Sequence, residues 1–266
     1  MDTLERVKFS EAYNLANHVW THVIECSPSE EFDDLFAPSD AEVLSRIIRP
    51  RRDSLLHLFL RRIYWQHYVW AFEHHRNDML DLVVADYEAV LTFNEVHFKR
   101  RSLPSEAAEN FERVTKRRIA YLRRLLPVTR IAQDTFQLLF RDRAFLRQFG
   151  VLVARTVEGC ANGNSSHLLT RQGHVRRTSL PAWLRRGVFY RDNGRCVACG
   201  SDLTGKLMNG TAVHFDHIVP LAKRGSNDPT NFQLLCDRCN RTKWTEVDTW
   251  ERYPVFWMAA AANDDV

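Results

Sequence analysis

Four cysteines stand in two Cys-x-x-Cys pairs, Cys196/Cys199 and Cys236/Cys239, with 36 residues between the pairs. Thiolates are soft ligands, and four of them in two such knuckles close a tetrahedral zinc site. With sulfur in every position no place is left for water, so this zinc is predicted to be structural. Between the knuckles, Val213-His214-Phe215-Asp216-His217-Ile218-Val219-Pro220 alternates apolar and polar residues and predicts a strand with Asp216 and His217 near its end. A carboxylate such as Asp216 suits a hard cation, Mg2+ or Mn2+. His217 titrates near neutrality and can take a proton from water. Neighbouring strand residues point to opposite faces, so gathering Asp216 and His217 into one site requires a local distortion at the strand end.

These residues need elements to position them. Lys223 to Thr230 is rich in Gly, Ser, Asn, Asp and Pro and reads as a loop. Asn231 to Leu235 reads as a short apolar strand or turn. Cys236 to about Trp250 reads as a helix carrying Arg238, Cys239, Asn240, Arg241 and Lys243. The three cations on that helix are candidate phosphate contacts or simply a solvated face. Upstream, Pro181 suits the first turn of a helix over Ala182 to Arg191, loosely capped by Thr178 or Ser179.

The block from Arg191 to Lys243 resembles the HNH endonuclease family in its four-cysteine, zinc-stabilised form. The resemblance rests on Asp216-His217, on Asn231, and on Asn240 within Cys239-Asn240-Arg241-Thr242-Lys243, and it covers roughly residues 183–245. It implies a ββα-metal fold, with a hairpin and a helix around one catalytic divalent cation. It also implies His217 as general base, Asp216 and Asn240 as holders of that cation, and Asn231 as the residue fixing the loop beside the base. The family often has His where this chain has Asn240. A neutral amide oxygen favours Mg2+ or Mn2+ over Ni2+ or Zn2+ in the catalytic position. The expected activity is hydrolysis of DNA, duplex first, leaving 5′-phosphate and 3′-hydroxyl ends. The competing reading is a non-catalytic zinc module that binds nucleic acid or protein.

The remaining sequence reads as helical, giving a mainly α chain: a helical domain over 1–155, a linker over 156–180, the nuclease domain over 181–253 and a tail over 254–266. Helices are predicted over Ala41 to Ile48 with Ser39 or Asp40 as cap, Ser54 to Phe72, Ser105 to Leu126, and Val128 to Phe149 with an end near Gly150. Glu158 to Ser166 is small and polar and reads as loop. The aromatic stripe Tyr64, Trp65, Tyr68 and Trp70 reads as core. His18 and His22 stand four apart, but no carboxylate completes a zinc motif between them. Lys116-Arg117-Arg118 and Arg123-Arg124 read as a solvated helix face, with DNA contact as the sharper alternative. The helical domain is a candidate for self-association or for docking a protein partner, and antiphage defence is the expected biology.

The 266 residues are 45% hydrophobic and 26% charged, which excludes wholesale disorder. The net charge of +4 is uneven. Arg171 to Tyr253 holds fourteen Lys and Arg against eight Asp and Glu, net +6, and the rest is −2. No apolar run approaches membrane-spanning length and no basic-then-apolar leader opens the chain, so no membrane association is expected. Cys26 and Cys160 read as unpaired thiols. Thiols kept for metal suit a reducing compartment, and a cytoplasmic location is expected.

Overall fold

A computed structural model describes residues 10–24, 36–37, 40–69, 79–162, 166–205 and 213–247. Cys26, Ser39, Trp70, the end of the predicted Ser54 to Phe72 helix, the predicted tail and the end of the predicted 236–250 helix lie outside them. The described elements are α1 (Ser10–Ile24), α2 (Ala41–Ile48), α3 (Leu55–Ile63) running into a π-helical turn (Tyr64–Val69), α4 (Leu80–Phe93), α5 (Phe111–Arg123), α6 (Val128–Leu139), α7 (Arg143–Asn162), α8 (Ala182–Arg191), β1 (Val213–His217), β2 (Phe232–Cys236) and α9 (Asp237–Lys243). The architecture is a mainly helical N-terminal region followed by a ββα unit. Backbone contacts divide the chain into two compact units, one of residues 1–19 and 59–136, the other of residues 20–58 and 137–266.

In the first unit α4 packs along α5, and Val83, Tyr87, Leu91, Ile119 and Leu122 are buried. Arg118 of α5 reaches back to Glu88 of α4 at 2.6 Å, its guanidinium side chain only 6% exposed. Hydrogen bonding compensates that burial. Three sequence readings change here. Arg118, read with Lys116 and Arg117 as part of a solvated face, is buried. The aromatic stripe is not all core, because Trp65 stands 41% exposed on the π-helical turn. The helix predicted from Ser105 starts only at Phe111.

The second unit carries the nuclease-like block. Asp40 caps α2, its Oδ1 accepting from Glu42 N at 2.8 Å and Val43 N at 3.3 Å. The single helix predicted over Val128 to Phe149 is two. Asp142 opens α7 by accepting from Phe145 N at 3.0 Å, and Trp20 Nε1 donates to its other oxygen at 2.8 Å. Helix α7 does not stop at Gly150. It continues to Asn162, through residues that read as loop, because Leu152, Val153, Val157 and Cys160 extend its buried stripe. The glycine has a packing reason: a Cβ there would lie 3.0 Å from Val219 Cγ2 and 3.4 Å from Asn231 Oδ1. The close approach of α7 to the ββα loop, not helix termination, explains Gly150.

The hairpin is antiparallel and regular, pairing Val213 with Cys236, Phe215 with Leu234, Asp216 with Gln233 and His217 with Phe232. One face, with Phe232 and Leu234, packs with Leu184 and Val188 of α8 and with Val197 and Leu203 of the first knuckle. Helix α9 packs against both strands. Helix α8 spans the predicted residues, with Pro181 as its N-cap and no side-chain cap.

Candidate metal centre and active site

The four cysteine sulfurs converge within 4.8 Å of one another. Cys199 Sγ and Cys236 Sγ are 3.8 Å apart, matching the sulfur separation of about 3.8 Å that Zn–S bonds of about 2.3 Å give in a tetrahedron. The backbone presets this cluster. Cys196 N donates to Ser201 O at 2.9 Å, Gly200 N to Cys196 O at 2.8 Å, and Val197 N to Leu234 O at 3.0 Å, which ties the first knuckle to β2. Cys236 is the N-cap of α9, where its sulfur accepts from Cys239 N at 3.4 Å. Burial opposes ionisation of Cys199, but hydrogen bonds from Ser201's hydroxyl and backbone and from Cys196 and Cys239 outweigh it and hold that thiol at about 6. Burial and its sulfur neighbours push Cys239 up. Four thiolates cannot share this space without a cation, and the donor set fits zinc. Cys160, outside the cluster, is buried.

Asp216 lies at the β1 end, its side chain 16% exposed. Gln233, its register partner, donates to Oδ2 at 3.2 Å. Gln233 Oε1 accepts in turn from Arg143 Nη2 of α7 at 2.9 Å. Lys243 of α9 stands 2.9 Å from the same Oδ2, and its Nζ also donates to the His217 carbonyl at 2.8 Å. Lys243, read from sequence as a phosphate contact, is 6% exposed. Its amine holds the strand end. Asn240 precedes it by one helical turn and so shares its face of α9. Arg238 and Arg241 are exposed, and Arg241 pairs with Asp237 four residues back. His214 Nε2 faces Asp237 at 3.3 Å.

His217 behaves differently. No distortion interrupts the strand, and the ring lies against Phe232 with centroids 4.5 Å apart, 2% exposed. Regular alternation therefore carries the imidazole to the face opposite the Asp216 carboxylate. Its Nε2 meets Asn227 Oδ1 at 3.2 Å. Asn227 Nδ2 donates to Ile48 O and to Arg176 O, both at 2.8 Å, and its backbone N donates to Ile47 O at 2.8 Å. The amide orientation is thus fixed with oxygen toward the ring. Nε2 must carry the proton, and Nδ1 keeps the lone pair. Burial lowers the His217 pKa to about 4, helped by the charges of Arg177 and Lys243 and opposed by Asn227 and Asp216. The ring is neutral at neutral pH.

Asn231 is 1% exposed and pins the intervening loop at three points. Its Oδ1 accepts from Val219 N at 2.8 Å, and its Nδ2 donates to Val219 O and Ser226 O, both at 2.9 Å. Gly225 permits this closure, since a Cβ there would lie 1.9 Å from the Val219 carbonyl oxygen. The sequence reading missed Asn227, which it took as one of several loop polar residues. It also missed Arg143 and Gln233, which no spacing rule connects. Trp244, 78% exposed with φ of 48° directly after α9, was likewise not singled out.

A four-cysteine cluster, consistent with structural zinc, beside an antiparallel hairpin and a short helix defines the ββα unit. Residues 196–246 match the family model of the HNH endonucleases, and this segment is an HNH endonuclease domain. The match includes no residue before Cys196. Neither the curated proteins nor the solved structures contain a match to the chain. Among the described residues, no helix is long and apolar enough to cross a membrane.

Proposed function

We propose that the protein is a metal-dependent endonuclease that hydrolyses DNA phosphodiester bonds at the end of β1. The observation that carries this reading is His217 held as a neutral ring, its proton on Nε2 against Asn227, within the segment that matches the HNH endonucleases; the reading requires the end of β1 to turn so that the imidazole and the Asp216 carboxylate, on opposite faces here, meet one phosphate. In this reading Nδ1 takes the proton of the attacking water. Asp216 and Asn240 would hold Mg2+ or Mn2+, which when bound offsets charge at the phosphoryl group. Both described partners of Asp216 address Oδ2, so Oδ1 would be the atom it offers a cation, with the Lys243 ammonium on the other oxygen. Asn231 positions the loop, Lys243 fixes the strand end, and Arg238 and Arg241 contact phosphate. Because His217 is only 2% exposed, this reading requires the cover over it to open when substrate binds.

The burial of that ring also favours a second reading, a zinc module that binds without cutting. Nicking of supercoiled plasmid by the full chain separates the two, compared across EDTA, Mg2+, Mn2+ and Zn2+ and beside His217→Ala. Cleavage that needs Mg2+ or Mn2+ and falls about 100-fold or more in the variant supports the nuclease. Silence with every metal, or cleavage indifferent to His217→Ala, overturns it.

A further inference from the structure

The first unit holds a charge concentration that the HNH domain does not explain. Between Lys99 and Arg130 ten Lys and Arg face three Glu, net +7, in a chain whose total is +4. The structure gathers part of it around a cleft of about 670 Å³ lined by Arg61, Trp65, Arg123, Arg124, Arg130 and the first turn of α6. That volume lies within the range of small-ligand sites. Among the described residues no acidic one lines the cleft, and Asp134 stands 4.0 Å from Arg130 at its margin. The first intrahelical bond into α6 is Ile131 N to Pro127 O at 3.0 Å, so the amides of Val128, Thr129 and Arg130 lie ahead of the helical ladder, an arrangement that favours an anion. Trp65 presents its ring from the π-helical turn. Such turns cost regular hydrogen bonding and recur at functional sites.

The basic surface continues along α5. Arg117, Tyr121 and Arg124 follow one another at spacings of four and three and lie on one helix face. All three are exposed. Arg124 lines the first cleft, while Arg117 and Tyr121 line a second of about 390 Å³ with Lys99 and Arg101. Tyr121 is held there, its hydroxyl accepting from Lys99 N at 3.3 Å and its ring 5.3 Å from the Arg118 guanidinium. The stripe from 117 to 124 rises about 10 Å.

Arginines interleaved with exposed aromatic rings match the chemistry of a sugar–phosphate strand, phosphates to guanidinium and bases to π-faces. A protein-docking surface would instead present an apolar centre. We propose that the α5 face and the Trp65 cleft form a second, non-catalytic site for a few nucleotides of single-stranded nucleic acid, with one base on Trp65 and phosphates on Arg117, Arg124 and Arg130. This proposal concerns binding and does not rest on cleavage by the HNH domain.

The test uses the full chain carrying His217→Ala, with no added divalent cation, and fluorescence anisotropy of a labelled oligothymidylate of about a dozen nucleotides. Arg117→Glu with Arg124→Glu weakens binding at least tenfold and lowers the salt slope by about 0.7 for each phosphate no longer neutralised. Trp65→Ala weakens it about fivefold to a hundredfold, and Trp65→Phe restores most of the affinity. Binding unchanged in these variants but abolished by Arg238→Glu with Arg241→Glu would overturn the proposal, leaving the HNH domain as the nucleic-acid site. Thymidine monophosphate competing as well as the oligonucleotide, mole for mole, would overturn its strand form and identify a free-nucleotide pocket.

Discussion

Around the β1–β2 hairpin, polar side chains are committed to one another. Asp216 is held by Gln233 and Lys243, Gln233 by Arg143, His217 by Asn227, and Asn227 by two backbone carbonyls. Along α5 the charges stand outward, and of its basic residues only Arg118 is buried against a described carboxylate. A site built for one ion and one scissile bond needs atoms fixed to a fraction of an ångström, so its residues recur at set spacings. A surface that meets a strand of phosphates needs charge density and stacking area more than fixed atoms. The first kind of site announces itself as a motif. The second shows only as composition, and the charge balance of the chain as a whole conceals it.

The four-cysteine cluster is where this contrast is easiest to break. Replacing Cys236 with Ser, or stripping the metal, removes both a ligand set and the cap of α9. Metal binding at such sites is worth about 10–16 kcal/mol in small zinc domains. We expect about one zinc per chain by elemental analysis of the wild type. In Cys236→Ser we expect loss of zinc, of protease resistance over 192–247 and of any nuclease activity, while the first unit keeps its helical signal. Full stability without zinc would show that hairpin packing alone holds the fold.

The next test concerns how far the nuclease unit extends. Asn227, which orients His217, is anchored on Ile47 and Ile48 of α2 and on Arg176, and Arg143 of α7 supports Gln233 beneath Asp216. A fragment beginning at residue 178 lacks all four anchors. Under the nuclease reading it cuts about 100-fold or more slowly than the full chain, as expected when a general base loses its orientation. Asn227→Ala in the full chain should reproduce most of that loss with zinc content unchanged. A fragment as active as the full chain would confine the site to the family segment.

Protonation offers a third, smaller handle. His217 titrates at about 4 in the folded chain and at 6.5 when unperturbed. Above pH 6.5 neither state gains a proton, and the stability associated with the neutral buried ring is fully present. As pH falls from 6.5 toward 4 the unfolded chain takes up a proton that the folded chain refuses, so stability drops, by about 3 kcal/mol over the whole window. Denaturant midpoints of wild type and His217→Gln should therefore converge as pH falls from 7 to about 4.5. Parallel curves would mean the ring is solvated in solution.

Several parts of this arrangement were legible in the sequence. The cysteine spacing announced the four-cysteine cluster, the alternation around Asp216 pointed to β1, and Pro181 marked the start of α8 at the correct residue. Local rules reach that far because ligand spacing, strand period and proline geometry are local. Asn227 and Arg143 act through partners 179 and 90 residues away, which no window detects. Lys243 looked like a surface cation because helical spacing does not reveal that its amine would meet Asp216. Trp65 looked like core because the period of a regular helix was applied to a turn that is π-helical.

Gly150 gives the finest test of whether α7 belongs with the HNH domain in function as well as in packing. Exchanging glycine for alanine inside a helix is worth about 1 kcal/mol of stability when nothing obstructs the methyl group. Here the methyl would press on Val219 at 3.0 Å and approach Asn231 Oδ1 at 3.4 Å, so the two effects oppose each other. Gly150→Ala should change the unfolding free energy by less than about 1 kcal/mol. A displaced Val219 pulls on the hydrogen bonds by which Asn231 closes the loop beside His217. Under the nuclease reading, cleavage should fall in this variant although stability does not. Equal activity at equal stability would show that the loop yields without moving the base, and that α7 supports the domain without tuning it.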